Sequence, residues 1–218
     1  MNNLTDVTKH LFYSAWILVS IEMIRVGGVI ITSFELLLPI ADIAFDCALI
    51  LFGIGILRLG YSLDYKSKWL VAPILFFISA FLDVTSVIIH LTNFEASWQT
   101  EPLVYLNLTI VVVQTIILVI GFLFLKLNID YLAENNIIER KGQYYLTVGF
   151  LLNLIPSIIG WYEDFTGDLS YLNLALILYI IAVFFILLGF LGLTSTMTLL
   201  QKWSHEQEPE PETLEVEE

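Results

Sequence analysis

The chain has 218 residues, of which 58% are hydrophobic and only 14% are charged, and its mean hydropathy is +0.83. A soluble domain usually carries about 25% charged residues, so this composition excludes an ordinary soluble protein, a disordered chain and a disulfide-rich domain. The net charge is −13, with seven acids in the last thirteen residues. The rest of the chain is too poor in bases for a nucleic-acid groove, so no nucleic-acid partner is expected. A membrane protein remains, with the lipid bilayer as its surroundings.

Six segments are long and apolar enough to cross a bilayer, which takes about 20 residues of helix. Continuous apolar runs favour helices over the alternating strands of a membrane barrel. The sequence therefore predicts an all-α fold, a six-helix integral membrane bundle. The first segment holds Glu22 and Arg25 and is too long for a cleaved signal peptide. The predicted spans are residues 11–33, 36–58, 69–91, 103–127, 144–162 and 171–199.

Basic residues gather on one side of the six predicted spans. They precede span one, follow spans two and four, and follow span six, whereas the opposite connections hold acids and no base. Positively charged residues stay cytoplasmic, so we expect a multi-pass protein of the cell membrane with both termini in the cytoplasm. The bases that carry this prediction are Lys9, Arg58, Lys66, Lys68, Lys126, Arg140, Lys141 and Lys202.

No segment of the chain has the composition of a separate soluble domain. We expect residues 1–203 to form one membrane domain and residues 204–218 to form a disordered, acidic cytoplasmic tail. The tail combines glutamates with Pro209 and Pro211 and has too little apolar surface to offset its ordering entropy. Cys47 is the one cysteine of the sequence, so it forms no disulfide within the chain.

The even-numbered spans carry Gly53, Gly121 and Gly189 at an equal spacing, which suggests three repeated helical hairpins. The runs 24–28 (Ile-Arg-Val-Gly-Gly) and 51–57 (Leu-Phe-Gly-Ile-Gly-Ile-Leu), with Pro39 opening span two, give the chain a resemblance to the HdeD-type short-repeat membrane proteins. That resemblance implies three hairpins and a role linked to acid stress. It implies no catalytic residue.

Polar side chains inside the spans are the candidate functional residues, because each must be compensated within the membrane. Counting about 1.5 Å of rise per residue places the charged ones in the outer half or near the midplane. Asp42 and Asp46 lie four residues apart, so they project from one face of their helix and repel each other when both are ionised. The candidate intramembrane polar cluster consists of Glu22, Arg25, Asp42, Asp46, Asp83, His90, Gln114 and Asn153.

Four interpretations of these residues stay open. Arg25 could neutralise Glu22 or Asp46 in a purely structural network. The acids could instead line an acidic outer-half cavity of a cation- or proton-linked transporter or channel, since carboxyl groups in a low dielectric exchange protons more readily near neutral pH. In a metal-dependent enzyme, His90 and the aspartates would be the ligands, although no HExxH motif is present. In an accessory subunit, glycines such as Gly27 would allow close helix packing.

The sequence favours the transporter or channel, and the alternative is a non-catalytic membrane subunit or stress-linked protein whose charges are structural. It favours a role other than catalysis, and no cofactor is evident from it. Partners would be a cation or proton, and a homo-oligomer or a larger membrane complex remains open.

Overall fold

The computed structural model describes residues 4–30, 37–63, 69–93, 101–135, 137–138, 144–166 and 169–207. All regular secondary structure in these residues is helical, which confirms the predicted all-α fold with six helices. The helices are α1 (Leu4–Ile30), α2 (Leu37–Ser62), α3 (Val71–Asn93), α4 (Glu101–Glu134), α5 (Tyr144–Thr166) and α6 (Leu172–Glu206). A short 3₁₀ turn, Leu169–Tyr171, leads into α6.

Within the described residues, four of the six helices contain a stretch that is long and apolar enough to cross a membrane. These stretches are Ile40–Ser62 in α2, Val71–Ile89 in α3, Tyr105–Glu134 in α4 and Asn173–Glu206 in α6. The apolar stretch of α5 is shorter, Tyr144–Ile159. These lengths agree with a helical membrane bundle, because about 20 apolar residues match the hydrocarbon thickness.

The outer surface of the bundle is apolar. Large hydrophobic side chains are exposed on several helices, among them Ile40 on α2, Phe81 on α3 and Phe184 on α6, and Phe81 is 72% exposed. A contiguous apolar surface of this kind is unfavourable in water and favourable against lipid tails. The exposed side chains therefore indicate a lipid environment.

The six helices form a closed ring. Each helix packs against its neighbours in the chain, and α6 returns to pack against α1. The three predicted hairpins are thus adjacent pairs. The equally spaced glycines are not equivalent in all three, however: a Cβ on Gly121 would meet α3 and one on Gly189 would meet α5, each the hairpin partner, whereas one on Gly53 would meet α3 instead of α1. In the first hairpin, Gly55 is the glycine that faces α1.

Aromatic rings fill part of the interior of the ring. Phe122 on α4 lies 4.9 Å from Phe76 on α3, 4.9 Å from Phe150 on α5 and 5.8 Å from Phe190 on α6, measured between ring centroids. Phe190 in turn lies 6.0 Å from Phe45 on α2. All five side chains are buried. We call these five residues the phenylalanine cluster; it joins five of the six helices.

Two polar contacts tie α1 to its neighbours near its N-terminal end. The hydroxyl groups of Thr8 and Ser204 lie 2.8 Å apart and join α1 to α6. His10 Nε2 lies 2.8 Å from the carbonyl oxygen of Leu51 on α2, and its ring passes beside Gly55. Because α6 continues to Glu206, the first residues of the predicted tail are helical, and residues 208–218 lie outside the described residues.

Candidate functional site

The charged residues of α1 and α2 meet through one arginine. Arg25 donates through Nη1 to Glu22 Oε2 at 3.2 Å, one helical turn away on α1. Its Nε lies 3.1 Å from Asp42 Oδ1 on α2. The Glu22 side chain is only 1% exposed, and that of Arg25 is 26% exposed. The spacing of three residues places Glu22 and Arg25 on one face of α1, and the packing of α1 on α2 brings Asp42 to the same guanidinium.

Arg25 also contacts the phenylalanine cluster. Its guanidinium carbon lies 5.2 Å from the centroid of the Phe45 ring, within the distance of a cation–π interaction. Arg25 therefore holds two carboxylates and one aromatic face at once. The one positive charge of Arg25 is thus shared between the carboxylates of Glu22 and Asp42.

Asp46 lies one turn further along α2 and has no such partner. It is 2% exposed, and neither carboxyl oxygen accepts a hydrogen bond from any described residue. The acid that approaches it is Asp83 on α3, which is close enough for an electrostatic interaction between the two carboxyl groups. Two carboxylates offer no donor to each other, so a hydrogen bond joins them only when one carries a proton. The acid facing Asp46 is thus on α3, whereas Asp42 is bonded to Arg25.

Tyr179 on α6 completes the surroundings of Arg25, and the sequence did not single it out. It is close enough to interact electrostatically with Arg25, Glu22 and Asp42. One signal was available: Tyr179 lies two helical turns inside α6, within an apolar run, whereas Tyr144, Tyr145 and Tyr162 lie near the ends of α5. A tyrosine hydroxyl at such a position needs a polar partner.

The remaining predicted residues lie apart from this group or outside the described side chains. Gln114 is buried on α4. Asn153 is half-buried on α5, where its backbone carbonyl oxygen accepts a hydrogen bond from Ser157 Oγ at 2.8 Å. Among the residues that the structure describes, neither α4 nor α5 packs against α1 or α2. The side chain of His90 lies outside the described residues. The structure thus brings together Glu22, Arg25, Asp42, Asp46 and Asp83, which we call the charged cluster.

The metal-enzyme interpretation gains no support from the part of the chain that the structure describes. Within it, no group of three or more histidine, cysteine, aspartate or glutamate residues is arranged to hold a metal ion. A catalytic metal ordinarily needs about three protein ligands.

The chain matches no protein-family model, no curated protein and no solved structure. The comparisons therefore add nothing to the resemblance to HdeD-type proteins, which rests on the sequence pattern alone. The charged cluster offers carboxyl groups and one guanidinium in an apolar surrounding, with the phenol of Tyr179 beside them.

Proposed function

We propose that the protein is a six-span membrane protein that carries protons or a monovalent cation, with Asp46 and Asp83 as the binding site. The single observation that carries the proposal is the burial of Asp46, with both carboxyl oxygens lacking a hydrogen-bond partner among the described residues. The nearby Arg25 forms its ion pairs with Glu22 and Asp42, so it acts on Asp46 through its charge and donates no hydrogen bond to it.

A buried carboxylate without a hydrogen-bond partner is unfavourable unless a proton or a cation neutralises it. A charged group in an apolar interior costs several kcal/mol when it is neither paired nor hydrogen-bonded, which is about the scale of a whole domain's stability. Two carboxylates at one site add mutual repulsion. A proton or a cation between Asp46 and Asp83 removes both penalties. Acids inside membrane helices commonly mark proton relays and ion pathways for this reason.

The proposal includes six spans with both termini in the cytoplasm. The positions of Lys and Arg support this orientation, since the connections that carry basic residues lie on one side of the predicted spans and those that carry acids lie on the other. α1 and α5 belong to the same ring of helices as the four that contain the long apolar stretches. A cysteine at Trp98 should react with impermeant reagents in intact cells and one at Lys66 should not. Cys47 is exposed and has to be replaced first. Labelling at Lys66 would contradict the orientation.

Flux into liposomes tests the transport proposal. Wild-type protein should dissipate a proton, Na⁺ or K⁺ gradient, and Asp46→Asn should abolish that flux while the protein stays folded. Asp130→Asn is the matched control, because Asp130 pairs with Lys126 at 2.7 Å on α4, away from the charged cluster. Equal flux through wild type and Asp46→Asn, or none through wild type under any of the three gradients, would refute the proposal.

The second candidate is a non-catalytic membrane subunit or stress-linked protein whose charges are structural. The observation that favours it is the bridging of α1 and α2 by Arg25 through Glu22 and Asp42. Under this alternative, Asp46→Asn removes an unfavourable buried charge and raises the melting temperature, and wild-type protein shows no flux. Mild purification would then recover the chain with a larger membrane complex.

A further inference from the structure

The phenylalanine cluster crosses the interior of the helix ring. Phe122 and Phe190 lie on α4 and α6, and Phe190 continues the contact to Phe45 on α2, so the three even-numbered helices meet through aromatic rings. Phe76 and Phe150 add α3 and α5 on either side of Phe122. At this place the described interior is packed by rings with no polar atom of their own.

Buried polar groups lie on both sides of this cluster along the helices. On α3, Ser79 follows Phe76 by one turn and Asp83 follows by two. In the opposite direction across the membrane, Asn128 follows Phe122 on α4, while α5 places Thr147 one turn before Phe150. Ser79 Oγ, Asn128 Nδ2 and Thr147 Oγ1 are buried without a hydrogen-bond partner among the described residues. Buried polar atoms of this kind are ordinarily satisfied by ordered water.

We propose that the phenylalanine cluster is the gate that closes the pathway leading inward from Asp46 and Asp83. The inference rests on the proposed transport function. A proton moves along a chain of hydrogen-bonded groups and water, and an ion moves with its solvation shell, so neither crosses a dry layer of packed rings. Hydrophobic constrictions close channels in this way. Phe122 is the central gate residue, because it contacts three of the other four rings.

The gate connects to the charged cluster through Phe45. The Phe45 ring contacts Phe190, and the Arg25 guanidinium lies over the same ring. A change of charge at Asp46 alters the electrostatic attraction between Asp46 and Arg25. A movement of Arg25 in response would displace the Phe45 ring that it contacts. The arrangement supplies a physical route by which loading of the binding site reaches the gate.

Passive proton leak into liposomes tests the gate. Phe122→Ala should raise the leak several-fold over wild type, and the leak should disappear in Phe122→Ala/Asp46→Asn, because the opened pathway still runs past Asp46. The matched control is Phe184→Ala on α6, where the ring is 50% exposed and lies outside the phenylalanine cluster. A wild-type-like leak in folded Phe122→Ala would overturn the gate. So would an equal rise in Phe184→Ala, or a leak that persists in the double variant.

Two further substitutions cover the case in which Phe122→Ala fails to fold. Phe122→Leu keeps most of the volume and should still raise the leak, and Phe122→Trp should lower the Asp46-dependent flux by filling the constriction. No change in either folded variant would overturn the proposal. The failure of the gate is distinct from the failure of the transport function: in the first case wild type carries Asp46-dependent flux that Phe122 does not influence, and in the second wild type carries no flux.

Discussion

Replacing Arg25 with alanine should destabilise the protein more than any other single change in the charged cluster. The substitution removes the bonds at 3.2 Å to Glu22 and 3.1 Å to Asp42. Glu22 is 1% exposed and would keep a buried charge without a partner, a loss of about 3–5 kcal/mol. Asp42 is 33% exposed and therefore less confined than Glu22, so its share of the loss is the smaller one. For a chain of this size, a loss of about 3–5 kcal/mol lowers the melting temperature by about 6–20 °C.

A double-mutant cycle separates this effect from lost packing. Glu22→Gln should cost less than Arg25→Ala, and Arg25→Ala/Glu22→Gln should melt above Arg25→Ala, because the glutamine leaves no buried charge behind. The coupling expected for residues in direct contact is about 0.5–3 kcal/mol. Melting in detergent, followed by tryptophan fluorescence, gives all four values. Additive losses, or small and equal losses for both single variants, would mean that Arg25 faces water or lipid headgroups and that its contacts do not hold α1 to α2.

Two further predictions concern the tail and the helix contacts. Truncation after Gln207 should leave the folded yield and the melting temperature unchanged. Truncation before Ser204 should lower both, because the hydrogen bond between Ser204 and Thr8 is lost. A large drop in yield or melting temperature for the variant that ends at Gln207 would show that the tail packs against the membrane domain. Gly189→Ala should destabilise the protein strongly, since a Cβ there would clash with the backbone nitrogen of Leu146. Gly27→Ala, with nothing within 4 Å of its Cβ, should be neutral or slightly stabilising in the same melting assay.

The sequence alone predicts the helical class and the number of helices. Continuous apolar runs of about 20 residues have one common solution, a helix that satisfies its own backbone in lipid. The apolar pattern does not determine where each helix ends, because a helix can continue beyond its apolar stretch. α1 begins at Leu4 and α4 reaches Glu134, both beyond the predicted spans. The sequence also places Glu22 and Arg25 on one face, since a spacing of three residues is local and independent of packing.

Tertiary structure decides which helix faces which. The sequence pairs Asp42 with Asp46 because they share a helix face, but the packing of α1 on α2 gives Asp42 to Arg25, and α3 brings Asp83 to Asp46. Tyr179 joins them because α6 closes the ring on α1. Periodicity along one helix fixes the side of that helix on which a residue lies. It carries no information about the neighbour on that side, since that depends on how six apolar surfaces of similar composition pack together.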